Sequence, residues 1–215
     1  DDQAWLLKTI LEDFERSGVA LEPADKERLR ALNAEISSLE SQFGRTLLAE
    51  QNASAVLVED VAELDGLPED AIAAARQAAA DRGHASGYLI ELQLPTQQEV
   101  LSALRNRELR RKVFEASVRR GGRGGEHDTR EIVLRLARLR AEHARLLGFE
   151  HHADYVAQDS TARTANAVAQ MLERLAPAAV ANARRDAEVL QAALEEDHPG
   201  ERLAPWDWEF YSEKV

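Results

Sequence analysis

The sequence has no cysteine, one methionine, six prolines and few aromatics, which make up only 5% of its 215 residues. Without cysteine there is no disulfide framework, no cysteine-based zinc knuckle and no thiol nucleophile. That absence fits a reducing compartment. No apolar run approaches the roughly 20 residues that span a bilayer. The opening residues carry no signal-peptide pattern. The expected location is therefore the cytoplasm, with no membrane partner. Basic residues are also in deficit. There are 27 Lys and Arg against 39 Asp and Glu, for a formal net charge of -12. Phosphate-backbone binding needs a basic face, so no nucleic-acid partner is expected.

Apolar residues make up 44% of the chain. Leu and Ala dominate them, and these residues lose little on entering a helix. The length allows one large domain or two small ones. The chain opens at Asp1, and its one methionine is Met171. It also ends on "PWDWEFYSEKV", which gathers Trp206, Trp208, Phe210 and Tyr211. Both features lead us to expect a fragment of a longer protein.

Periodicity predicts mainly helix. Leu6, Leu7, Ile10, Leu11 and Phe14 make one stripe, with Gly18 as the stop. Pro23 opens a longer helix in which Leu29, Leu32, Ile36, Leu39 and Phe43 form a packing seam. Two β-favouring runs interrupt the pattern, near 53–60 and 88–95. An Ala-rich helix from Pro68 to Gly83 separates them. Two short helices, broken near Arg105–Asn106, lead to "GGRGG" at 121–125. No strand precedes those glycines and no Gly-Lys-Ser/Thr follows, so 121–126 reads as a flexible linker rather than a phosphate loop. Asp128 with Glu131 suggests a capping box, and Ile132, Leu136, Leu139, His143 and Leu146 a buried stripe. A last long helix starts after Thr164 and carries Val168, Met171, Leu172 and Leu175. The predicted fold is mainly α: a multi-helix bundle of about eight helices with one small two-stranded β element.

The chain offers no local catalytic motif. A helical zinc site wants two histidines at i and i+4. His84, His127, His143, His151, His152 and His198 include no such pair. His151 and His152 are adjacent and diverge by about 100° on a helix. With Glu150 or Asp154 they would make at best a small metal site, and a polar helix start explains them better. His143 sits on an apolar stripe and reads as structural. No strand–Gly-x-Ser-x-Gly–helix elbow is present. No catalytic, cofactor-binding or metal residue is therefore assigned.

Four stretches taken in order are more specific: "LEPADKERLRALNAEISSLESQF", "ELQLPTQQEVLSALRNRELRRKVFEASVRRG", "LRLARLRAEHARLLGFEHHADYVAQDSTARTANAV" and "PWDWEFYSEKV". Together they resemble the thimet-oligopeptidase-like zinc metallopeptidases, the group with neurolysin and the bacterial peptidyl-dipeptidases. The resemblance covers essentially all of residues 1–215. It implies a nearly all-helical enzyme in which two lobes flank a deep channel that admits short peptides. It also implies zinc held by an H-E-x-x-H helix and a further Glu, in a region beyond the match to Val215. No zinc ligand or catalytic residue transfers to this chain. Gln97, Gln98 and Glu99 stand where many relatives carry aromatics, so no channel contact transfers either.

The resemblance thus makes residues 1–215 the helical upstream region of a larger metallopeptidase. Its expected role is scaffold and one wall of the substrate channel. The expected partners are short peptide substrates and the missing catalytic half. Pro205 would begin a helix leading into that half, with most partners of its aromatic residues downstream. In their absence the 205–215 segment would fold back, stay disordered or self-associate, and self-association is the favoured outcome. The alternative reading is a free-standing helical interaction module.

Overall fold

The computed structural model describes residues 2–92 and 99–215. The mainly α expectation holds. Among the described residues there are nine α-helices, two short 3-10 turns and one two-stranded sheet. The chain divides into two compact units. One comprises the residues up to Arg45 with Thr129–Leu175, the other Thr46–Asp128 with Ala176–Val215.

The first unit contains α1 (Asp2–Arg16), the start of α2 (Pro23–Ala53), α6 (Arg130–Leu146), α7 (His152–Ala157) and the start of α8 (Ala165–Asp197). Leu29 and Leu32 of α2 and Ile132, Leu136 and Leu139 of α6 are buried, as their spacing predicts. Exposed ion pairs join α2 to α6: Arg28 with Glu142, and Arg135 with Glu35 at 2.6 Å. Such pairs contribute at most about 1 kcal/mol each. The helix α1 forms as its stripe predicts, yet none of its residues is buried. Trp5 and Phe14 are 63% and 56% exposed. Arg16 fixes the end of that helix. It donates to the Tyr155 carbonyl at 3.3 Å, pairs with Asp159 at 3.2 Å and lies 4.9 Å over the Tyr155 ring.

The second unit is built around β1 (Val56–Val58) and β2 (Tyr88–Ile90). They pair antiparallel with Leu57 opposite Leu89, a direction the sequence leaves open. The strands are shorter than the runs near 53–60 and 88–95, and residues 93–95 lie outside the described residues. The Ala-rich helix α3 (Glu69–Asp81) packs on β2. The break near Arg105–Asn106 separates α4 (Val100–Ala103) from α5 (Arg107–Val118). Asn106 caps α5 by accepting from the Leu109 N–H at 3.1 Å. Val58, Leu64, Tyr88, Ile90, Leu92, Leu104, Leu109 and Val113 form one core.

One local expectation changes. The helix α6 starts at Arg130 with Thr129 as its cap, not at Asp128. The Asp128 carboxylate turns back to accept from the Gly124 N–H at 2.7 Å. The apolar positions of the long last helix are largely exposed, Met171, Leu172 and Leu175 among them. Thr164 does cap that helix, accepting from the Ala167 N–H at 3.1 Å.

Gly66 marks the tightest backbone approach in the second unit. Its φ is +98°, and a Cβ there would lie 2.1 Å from the Ala103 carbonyl oxygen. Gly83 has φ +81° but open space around a Cβ. Gly66→Ala is therefore expected to cost about 3 kcal/mol or more, combining backbone strain with a clash. Gly83→Ala is expected to cost only about 1–2 kcal/mol, from strain alone. Urea unfolding of both variants checks the order; equal costs would contradict the packing described.

Candidate functional site

The sequence points to His143, His151 and His152 and to the aromatic terminal segment, and these lie in different units. Among the described residues no group of three His, Asp or Glu side chains is placed to hold a metal ion. His151 precedes α7, and its Nδ1 sits 2.8 Å from Asp154. His152 stacks on Tyr155 instead, at 6.0 Å between ring centroids. The polar helix start is the better description of this pair. His143 meets the same Tyr155 edge-on at 5.0 Å. Phe149 packs on the tyrosine as well. Burial, then the neighbouring His152, holds the pKa of His143 below its ordinary 6.5. Burial, then Arg140, does the same for His152. Both imidazoles thus favour the neutral form, as packing groups do.

The terminal segment is organised by a buried carboxylate. A 3-10 turn, Pro205–Asp207, leads into α9 (Trp208–Ser212). Asp207 and Arg110 are both fully buried. The Asp207 Oδ1 accepts from Arg110 Nη2 at 3.0 Å and from Arg107 Nε at 3.0 Å. Its Oδ2 accepts from Arg107 Nη2 at 2.8 Å and from the Ala204 N–H at 3.0 Å. Burial pushes the Asp207 carboxyl up, but the hydrogen bonds from Arg107, Arg110 and Ala204 more than reverse it. The group is held below the ordinary carboxylate range and stays ionised. Arg110 Nη1 also donates to the Leu104 carbonyl at 2.7 Å, at the end of α4.

Around this cluster the aromatic residues find cover within the chain. Tyr211 is fully buried with Leu190, Ala193 and Leu194 of α8. Its hydroxyl donates to Asp197 at 3.2 Å. Burial, with Asp197 beside it, pushes the phenol up to about 12. Phe210 lies under the Arg110 guanidinium at 4.2 Å, and Trp206 meets Phe114 edge-on at 6.3 Å. Within the chain this segment folds back onto α5 and α8. Trp208 keeps part of its surface between two apolar hollows, of about 510 and 230 Å³. Sequence reasoning missed the ionic cluster. Its signals were an Asp between two tryptophans and arginines at i and i+3 in "NRELR". The arrangement has anchoring geometry. Glu201, paired with Arg107 at 3.1 Å, balances the remaining charge, and the cluster presents no nucleophile or general base.

His143 supports a pH prediction. Its folded-state pKa is depressed, so the unfolded chain binds more protons once the pH drops through about 6.5, and stability falls. His143→Leu is expected to keep the fold and to lessen the loss of melting temperature between pH 7 and 5. His143→Asp is expected to destabilise by about 1–3 kcal/mol, by placing a charge against Tyr155. Thermal melts across that range decide. Identical pH profiles for the native chain and His143→Leu would contradict the assignment.

The profile of Peptidase family M3 matches residues 100–215. The Escherichia coli (strain K12) dipeptidyl carboxypeptidase is 38% identical over 210 residues, covering 98% of this chain and 31% of its own length. The Haemophilus influenzae oligopeptidase A is 33% identical over 216 residues, covering 99% of this chain and 32% of its own length. A probable cytosolic oligopeptidase A of Arabidopsis thaliana is 29% identical over 218 residues, covering 98% of this chain and 31% of its own length. The chain thus spans about a third of the length of the curated relatives it matches. The family match takes in α4, α5 and the whole cluster of Arg107, Arg110 and Asp207, and the chain belongs to Peptidase family M3.

Proposed function

We propose that this chain is the helical, non-catalytic part of a zinc-dependent peptidase that cleaves short peptides. The carrying observation is the alignment of almost the whole chain with about 31% of a dipeptidyl carboxypeptidase. The oligopeptidase A relatives align in the same way, so short peptides are the substrate class. Zinc is the cofactor the resemblance implies. The described residues do not fit it, since no metal-holding group occurs among them. The ion and the hydrolytic chemistry are therefore assigned to the part of the family polypeptide outside this chain.

In this reading the chain supplies scaffold and one wall of the peptide channel. A channel that excludes folded proteins needs rigid walls, and buried ionic ties such as Arg110–Asp207 favour rigidity. The cytoplasm is the proposed location. No helix of the described residues is long and apolar enough to cross a membrane, and one relative's name includes "cytosolic".

The test compares the 215-residue chain with the full-length gene product. The chain alone is expected to retain no zinc after dialysis and to leave a quenched-fluorescent peptide intact. The full-length product is expected to hold zinc and to cleave the peptide in a chelator-sensitive way. Tight stoichiometric zinc on the short chain, or a full-length product without peptidase activity, overturns the proposal.

A further inference from the structure

From Ala176 to Asp186, α8 is exposed on every side. Its side chains are not random there. Ala176, Ala179, Val180, Ala183 and Ala187 fall on one stripe at helical spacing. Leu190 lies on the same stripe, two turns beyond Ala183, and is buried with Tyr211. The face that α9 covers at one end therefore continues, uncovered, for about 16 Å toward Ala176. Trp208 stands where cover ends. On one side of it lies the hollow of about 510 Å³, walled by Ala187, Leu203, Ala204 and Pro205. On the other lies the hollow of about 230 Å³, walled by Asp186, Val189, Leu190 and Val215.

We infer that this face of α8, with Trp208 at its end, seats an amphipathic helix from the part of the family polypeptide outside this chain. This rests on the reading of the chain as one part of a longer peptidase. Three observations select that occupant. The face continues an interface that a helix of the chain already uses. Its side chains are small, which lets a helix axis approach to the near end of the usual range of about 8–10 Å. More than two thirds of the dipeptidyl carboxypeptidase's own length lies outside its match to this chain, so polypeptide to fill the face exists in the family. A second copy fits less well. Each copy carries a formal charge of -12. A two-fold contact would also bring Asp186 and Glu209, at the rims of the hollows, toward their own counterparts.

The test exploits the absence of cysteine from this chain. Ala183→Cys puts a thiol on the stripe, and Arg185→Cys puts one on the opposite side of the same turn. Maleimide labelling rates are measured in the 215-residue chain and in the full-length gene product, each corrected for the unsubstituted protein. In the short chain both thiols are expected to react at similar rates. In the full-length product the thiol at 183 is expected to react roughly a hundred-fold more slowly, as a packed site does, and the thiol at 185 at an unchanged rate. Equal reactivity of both in the full-length product overturns the inference, as does a gene product no longer than this chain. Slowing at 183 that grows with concentration of the short chain assigns the face to a second copy and overturns it too. Zinc content and peptidase activity of the same samples separate the two claims. An active zinc enzyme with a reactive thiol at 183 sinks the docking face alone. A protected thiol in an inactive, zinc-free product sinks the functional reading alone.

Discussion

The buried ion cluster of Asp207 with Arg110 and Arg107 is the interaction on which the second unit depends. It joins segments about a hundred residues apart in sequence. Arg110 belongs to α5 and holds the carbonyl that ends α4. Asp207 ends the 3-10 turn that starts the aromatic segment. A buried charge pair contributes little net stability, because desolvation offsets most of its attraction. Its consequence is positional. An ionised, fully buried carboxylate tolerates few arrangements, and here two arginines and a backbone N–H meet it. Once Asp207 is seated, Tyr211 falls onto Leu190 and Leu194, and Phe210 falls beneath Arg110.

Most of the fold was legible because helices report themselves locally. The seam of Leu29 and Leu32, the stripe of Ile132, Leu136 and Leu139, the helix break near Arg105–Asn106 and the helix start after Thr164 depend on residues within a turn or two of each other. The strand pair was legible as two runs, near 53–60 and 88–95, but not as a direction, since register is a property of both strands together. The exposure of α1 and of Met171 and Leu175 was not legible. Periodicity says that a face is apolar, and it does not say that a partner is present. Arg110–Asp207 escaped for the same reason. "NRELR" and "PWDW" each read as ordinary helix edges until they are brought together.

No active site was legible in the residues, and the described structure assembles no metal-holding group. The family assignment instead drew on the order of several weak landmarks. Two of them, the arginines of α5 and the Asp of the terminal turn, prove to be partners in one cluster. That gives the landmarks a physical meaning. They identify a way of locking the terminal segment onto the bundle. His143 and His152 flank Tyr155 as packing groups, and their depressed pKa values follow from burial.

The central claim is that Asp207 and Arg110 act as a unit that seats the terminal segment. A double-mutant cycle measures this directly, using Asp207→Leu, Arg110→Met and the pair of substitutions together, read by urea unfolding. Asp207→Leu leaves the fully buried Arg110 guanidinium without its carboxylate, which costs about 3–5 kcal/mol, whereas Arg110→Met leaves Asp207 held by Arg107 and the Ala204 N–H and costs less. The double variant is predicted to lose far less than the sum of the two, with a coupling of about 2 kcal/mol or more. Additive losses would contradict the account, because Arg110 and Asp207 would then act independently.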